Sequence, residues 1–301
     1  MKAYQRVLLF LLVVLFLTAL LSPWIVALWN FILEANPAWQ GYRYSFAKIF
    51  NRLFMVLAIL LFFPFRRLLK IPPPSQIGLQ PLRQGYQDLL RGFFLALASI
   101  VILSLVMSSF EIFTPYFRLS LSRALERSLT ALLAAITVGL LEEIFFRGVI
   151  FRGLLENLGL KSAFIFTNIF YSSIHFVRPS EQLSLSGLEP WAGVRHLVYS
   201  FEPFLKPTPL FPGILGLFLI GLVLCYAYLR TGSLYLSIGL HAGWIFGLKT
   251  IRVYGDFRRE DLGWLFGSSE PKLVSGILSW IAILAVGLII HWITQKRTRQ
   301  D

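Results

Sequence analysis

The chain has 301 residues, 56% of them hydrophobic, 16% aromatic and only 14% charged, with a mean hydropathy of +0.70. Soluble domains carry about 25% charged residues, so the composition excludes a water-soluble enzyme fold and a disordered chain, and a single cysteine excludes a disulfide scaffold. The net charge of +13 fits the Lys- and Arg-rich loops of a polytopic membrane protein; no nucleic-acid-binding motif accompanies it, and no nucleic-acid partner is expected.

A helix needs about 20 mostly apolar residues to cross a bilayer, and about eight runs approach that length. The first, Val7 to Trp29, follows Lys2 and Arg6 like the start of a signal peptide. Its apolar run is too long for one and no small-residue cleavage site closes it, so a retained helix is predicted. The others run near Tyr44 to Phe65, Gly92 to Phe113, Ser128 to Phe151, Ser162 to Val177, Phe211 to Leu229, Leu234 to Lys249 and Leu273 to Trp292. The predicted fold is all-α, a polytopic transmembrane bundle of about eight helices. It forms a single integral membrane domain over 1–301, with a motif-bearing core at about 124–250. Cys225, inside an apolar run, reads as a small core residue.

Orientation follows from the basic residues. Lys2 and Arg6, the group Arg66, Arg67, Lys70, Arg83 and Arg91, then Arg152, Lys161 and Arg230, and finally Lys296, Arg297 and Arg299 fall on one side of the alternating spans. The positive-inside rule makes that side cytoplasmic and puts both termini there. The loops from Arg178 to Lys206 and from Arg252 to Glu270 are of mixed charge, and Arg118, Arg123 and Arg127 run against the rule. Pro72 to Pro74 and the prolines at 203, 207, 209 and 212 read as breaks. The short loops and the lack of an organelle-targeting segment suggest a prokaryotic inner (cytoplasmic) membrane, with lipid as the standing partner.

Ionisable groups at bilayer depth cost about 2.5–3.5 kcal/mol each and are usually functional. Lys48, Arg52 and Glu111 fall near span ends, and every Asp falls in an expected loop or at the C-terminus. The deep candidates are Glu142, Glu143 and Arg147 in the fourth span, His175 in the fifth and His241 in the seventh. Glu143 and Arg147, four apart, share a helix face and can pair. Glu142 is rotated from its neighbour by about 100°, which leaves it to face a cavity as a general base. Asn168, Ser172 or Tyr171, and His175 recur at helical spacing as a polar stripe. Around His241, Gly239, Ala242 and Gly243 permit close helix approach. Glu142, His175 and His241 form a His₂Glu set that either permits Zn²⁺ or activates water directly. His196, expected in a loop, and His291, near the end of the last span, read as ordinary histidines.

Glu142-Glu143-x-x-x-Arg147, then Tyr171-x-x-x-His175, then His241 resembles the three-motif signature of the CPBP family of CAAX proteases and bacteriocin-processing proteins, which includes the type II CAAX prenyl endopeptidases. Arg230-Thr231-Gly232-Ser233-Leu234-Tyr235 is similar to the approach to the third motif. Two positions depart from the pattern: Tyr171 stands where the second motif usually begins with Phe, and Ile245 where Asn usually follows the last His by four. The resemblance implies an intramembrane glutamate-dependent endopeptidase acting on membrane-bound peptides or proteins. It makes Glu142 the general base and gives His175 the orienting of the water. His241 would bind the oxyanion, while Glu143 with Arg147 would hold the helix. Trp244 and Asn168 are the polar groups expected to stand in for the missing Asn.

Other membrane proteases lack their residues here: no GxSxG lies in a span, no Asp lies in one, and HExxH does not occur. The alternative class is a non-proteolytic scaffold or regulator, or a small-solute carrier that keeps the same fold, which Ile245 favours.

Overall fold

The computed structural model describes residues 3–69, 73–178, 188–259, 261–267 and 273–295. Lys2, Lys70, Pro72, Glu181, Glu260, Glu270, Lys296, Arg297 and Arg299, read above for topology, lie outside them. The apolar runs form helices, so the fold is all-α in its framework. In chain order these are α1 (Ala3–Ala35), α2 (Phe46–Leu69), α3 (Leu82–Ser109), α4 (Leu121–Glu143), α5 (Arg152–Leu158), α6 (Leu160–Ile174), α7 (Ala192–Tyr199), α8 (Pro207–Thr231), α9 (Leu234–Thr250), α10 (Gly263–Phe266) and α11 (Ile277–Gln295).

Among the described residues five helical stretches are long and apolar enough to cross a membrane: Gln5–Ala35, Leu82–Ser109, Leu121–Leu158, Pro207–Thr231 and Ile277–Gln295. The expected count of eight is not reached by this measure. Helices α6 and α9, at 15 and 17 residues, are shorter than a full span, and α2 is not among the five.

Three local expectations are corrected. Asp88, expected in a loop, lies within α3 and pairs with Arg91 at 3.2 Å. His196, also expected in a loop, is on α7. Two three-residue strands interrupt the helices, β1 (Phe113–Pro115) and β2 (Gly255–Phe257), paired antiparallel with Thr114 opposite Asp256.

The chain divides into two compact units. Pro72–Ser172 with Phe211–Asp301 is built around α9, which packs chiefly against α3 and then α4. Helix α9 is buried along most of its length on all sides, as a helix at the centre of a bundle must be. Small residues bring the helices close. A Cβ on Gly239 would lie 2.0 Å from the Leu89 carbonyl oxygen of α3, and one on Gly243 2.4 Å from that of Phe93. Ala242, on another side of α9, meets Gly139 of α4. The expected close approach at Gly239, Ala242 and Gly243 is therefore present, with backbone against backbone as in other membrane bundles.

Each end of this unit is tied by its loops. At one end Leu234 N–H donates to Gly78 O (2.9 Å) and Tyr235 Oη to Gln80 O (2.5 Å), while Ser233 caps α9 by accepting from Tyr235 N–H. At the other, β1 and β2 join the α3–α4 connection to the segment after α9.

The second unit, Met1–Ile71 with Ser173–Leu210, packs α1 against α2 and α7. Its core holds Ala19, Val26, Phe46, Ile49, Phe50 and Ala192. Gly193 admits the α1 backbone, since a Cβ there would lie 1.8 Å from Ala19 O.

Candidate active site

Helix α4 ends at Glu143 and passes directly into a π-helical segment, Ile144–Phe151, before α5. Its wide i→i+5 turns are rare and concentrate at functional sites. Glu142 and Glu143 thus close the regular helix, and Phe146, Arg147 and Gly148 are buried in the wide one.

Glu143 and Arg147 are fully buried and paired, with Nη1 donating to Oε1 at 2.8 Å. Arg147 Nη2 also donates to Gly221 O on α8 (3.4 Å), and its guanidinium lies 4.6 Å from the Tyr171 ring centroid and 5.7 Å from that of Phe146. A charge in such surroundings needs both its counter-charge and its hydrogen bonds. The same Glu143 Oε1 stands 2.8 Å from His241 Nδ1.

Helix α9 therefore inserts His241 between the two carboxylates. Glu143 holds Nδ1, and Glu142 Oε2 lies 3.8 Å from Nε2. The side chain of Glu142 is 30% exposed, against 0% for Glu143. The rotation expected between neighbouring residues has this outcome: one carboxylate is locked to Arg147, and the other reaches a more open position beside the second ring nitrogen. A carboxylate pointing at Nδ1 only accepts, so it fixes the ring orientation and favours the proton on that nitrogen.

The remaining sequence-predicted residues are placed as follows. Asn168 is buried on α6, where its Nδ2 donates to Phe164 O (2.8 Å) and its Oδ1 faces Cys225 Sγ of α8 at 3.6 Å. Trp244 donates its indole N–H to Ser99 Oγ of α3 (3.1 Å). Both donors are thus committed to helix packing. His175 lies in an exposed turn just past α6, within the unit that also holds α1, α2 and α7. Among the described residues no group of three or more His, Cys, Asp and Glu could hold a metal ion, so the zinc expectation finds no ligand set and no step is derived through one.

Two contributors were not singled out from sequence. Gly221 lets α6 approach α8, since a Cβ there would lie 2.3 Å from Asn168 Oδ1. Ser99 receives Trp244. Glycine in an apolar helix was the one available signal, for Gly221; nothing local marks Ser99. Tyr171, read from sequence as the opening aromatic of the second motif, also places its hydroxyl 3.4 Å from His241 Nε2.

Residues 124–247, from α4 into α9, match the family model described as type II CAAX prenyl endopeptidase Rce1-like. The resemblance carried by the motifs is borne out for that segment. No curated protein and no solved structure matches the chain.

Proposed function

With a segment that is Rce1-like in a chain built of membrane-crossing helices, which points to a CAAX-type endopeptidase in the lipid bilayer, we propose a glutamate-dependent intramembrane mechanism. Glu142 removes a proton from water, and the hydroxide attacks the carbonyl carbon of a membrane-associated peptide or protein. Electrons shift to the carbonyl oxygen, which His241 stabilises through Nε2–H while Glu143 anchors Nδ1–H and Arg147 anchors Glu143. Collapse breaks the C–N bond, and the proton on Glu142 passes to the leaving amine. The products are a carboxylate and an amine. His175 keeps the role the motif resemblance gives it, orienting the water. Such a reaction needs a positioned base and a preorganised oxyanion donor.

The single observation that carries this reading is the partly exposed carboxylate beside a locked imidazole, Glu142 Oε2 at 3.8 Å from His241 Nε2. The test uses the full chain reconstituted in lipid vesicles with peptides bearing prenylated or unmodified C-termini, and cleavage followed by mass spectrometry. Wild type cleaves, and the Glu142→Ala and His175→Ala variants do not while melting as wild type does. Full cleavage by Glu142→Ala overturns the assignment.

A further inference from the structure

The mechanism above needs the Nε2–H of His241 aimed at the carbonyl oxygen while Nδ1–H stays on Glu143, so the groups facing Nε2 decide where that proton points. The described contacts of Nε2 are Glu142 Oε2 at 3.8 Å and Tyr171 Oη at 3.4 Å. A carboxylate accepts, whereas a phenol both donates and accepts. Trp244 and Asn168 give their donors to Ser99 and Phe164, and the Tyr171 hydroxyl is the group that faces the histidine ring nitrogen at 3.4 Å.

The tyrosine ring is held rigidly. It is 1% exposed, lies under the Arg147 guanidinium, meets the Phe146 ring edge-on at 5.0 Å and 88°, and is backed by Gly221, where a Cβ would come within 3.1 Å of its Cδ1. Its plane is turned 78° from that of His241, with the centroids 6.1 Å apart. A ring clamped on these sides carries its hydroxyl to one place.

We propose that Tyr171 is a positioning residue for the reaction described above, acting through His241. Its hydroxyl oxygen accepts from Nε2–H before substrate binds, and so holds the ring in the orientation that presents this proton to the carbonyl oxygen. The 3.4 Å separation is long for an N–H···O bond, as catalytic hydrogen bonds often are before substrate tightens them. A phenylalanine at this position would fill the same space and lack the function.

This inference rests on the endopeptidase reading, and the experiment separates the two. Wild type, Glu142→Ala and Tyr171→Phe are compared in vesicles. Removing one hydrogen bond is expected to lower kcat by about tenfold with KM unchanged, and 3-fluorotyrosine at this position, a weaker acceptor, gives a rate between those of wild type and Tyr171→Phe. The second readout needs no substrate: in histidine-¹⁵N-labelled protein the His241 Nε2 resonance, assigned with His241→Gln, shifts between wild type and Tyr171→Phe. Unchanged kcat and an unmoved resonance in Tyr171→Phe overturn the proposal alone. A wild type that cleaves nothing overturns the endopeptidase reading, and the role in catalysis with it. If Tyr171→Phe does not fold, the fluorotyrosine series decides: a rate that ignores phenol acidity rejects the positioning role.

Discussion

His241 on α9 has a carboxylate near each ring nitrogen, whereas His196 on α7 lies between the phenyl rings of Phe46 and Phe50, at centroid distances of 5.2 and 4.7 Å, with its Nδ1 unpartnered among the described residues. Both are buried, His196 to 2% exposure. Burial therefore does not separate a working histidine from a packed one; the chemistry of the neighbours does. An imidazole between carboxylates is held in one orientation and can present an N–H to a reacting group. The same ring among phenyls is held neutral, and burial lowers the affinity of His196 for a proton below the ordinary histidine range.

That contrast is breakable in four places. The largest effect belongs to Glu142→Ala, which removes the base and is expected to lower the cleavage rate by about 10²–10⁴-fold, read by timed mass spectrometry, with the melting temperature preserved. Next is Arg147→Met. It leaves buried Glu143 without its arginine, held by His241 Nδ1 alone, and is expected to destabilise the fold by about 3–5 kcal/mol, seen as a lower midpoint in a denaturant titration in detergent; an unchanged midpoint would show that the pair is not what holds the π-helical segment. Trp244→Phe removes the bond to Ser99 and should cost about 1 kcal/mol, with cleavage per folded molecule retained.

The smallest effect concerns His196. Its folded form resists a proton that the unfolded chain accepts near the ordinary value of 6.5. Stability is therefore level above that pH and declines as the pH falls below it, until the lowered folded value is passed. Melting curves between pH 8 and pH 5 should show less of this decline in His196→Phe than in wild type, while an identical decline would assign the acid sensitivity to other groups.

How far the sequence disclosed these features depended on the range of the interactions. Long apolar runs announced the helices. The i, i+4 spacing of Glu143 and Arg147 announced their pair because both lie within one turn, and small residues around His241 announced close packing. The contact of Tyr171 with His241 joins residues 70 apart, and that of Trp244 with Ser99 joins residues 145 apart, so neither has a local signature. Helix α7 has only eight residues, too few for a periodic pattern beside the prolines and glutamates that flank it, which is why His196 read as a loop residue. Strands of three residues are hidden for the same reason. The π-helical stretch Ile144–Phe151 has the apolar content of an ordinary helix, and its wider turn is set by what packs around it.

The wide turn also has a genetic signature. A π-helical turn is equivalent to one residue inserted into an α-helix, so an in-frame deletion of a single codon among 148–151 would let the segment revert to regular pitch. Residues beyond the deletion would then keep their facing, because the wide turn had absorbed the extra residue, while Arg147, inside it, would be turned about the helix axis relative to Glu143; Glu142, Glu143 and Arg147 keep their codons. Such a deletion would disturb the site through angular register alone, leaving the charge and composition of the catalytic cluster untouched.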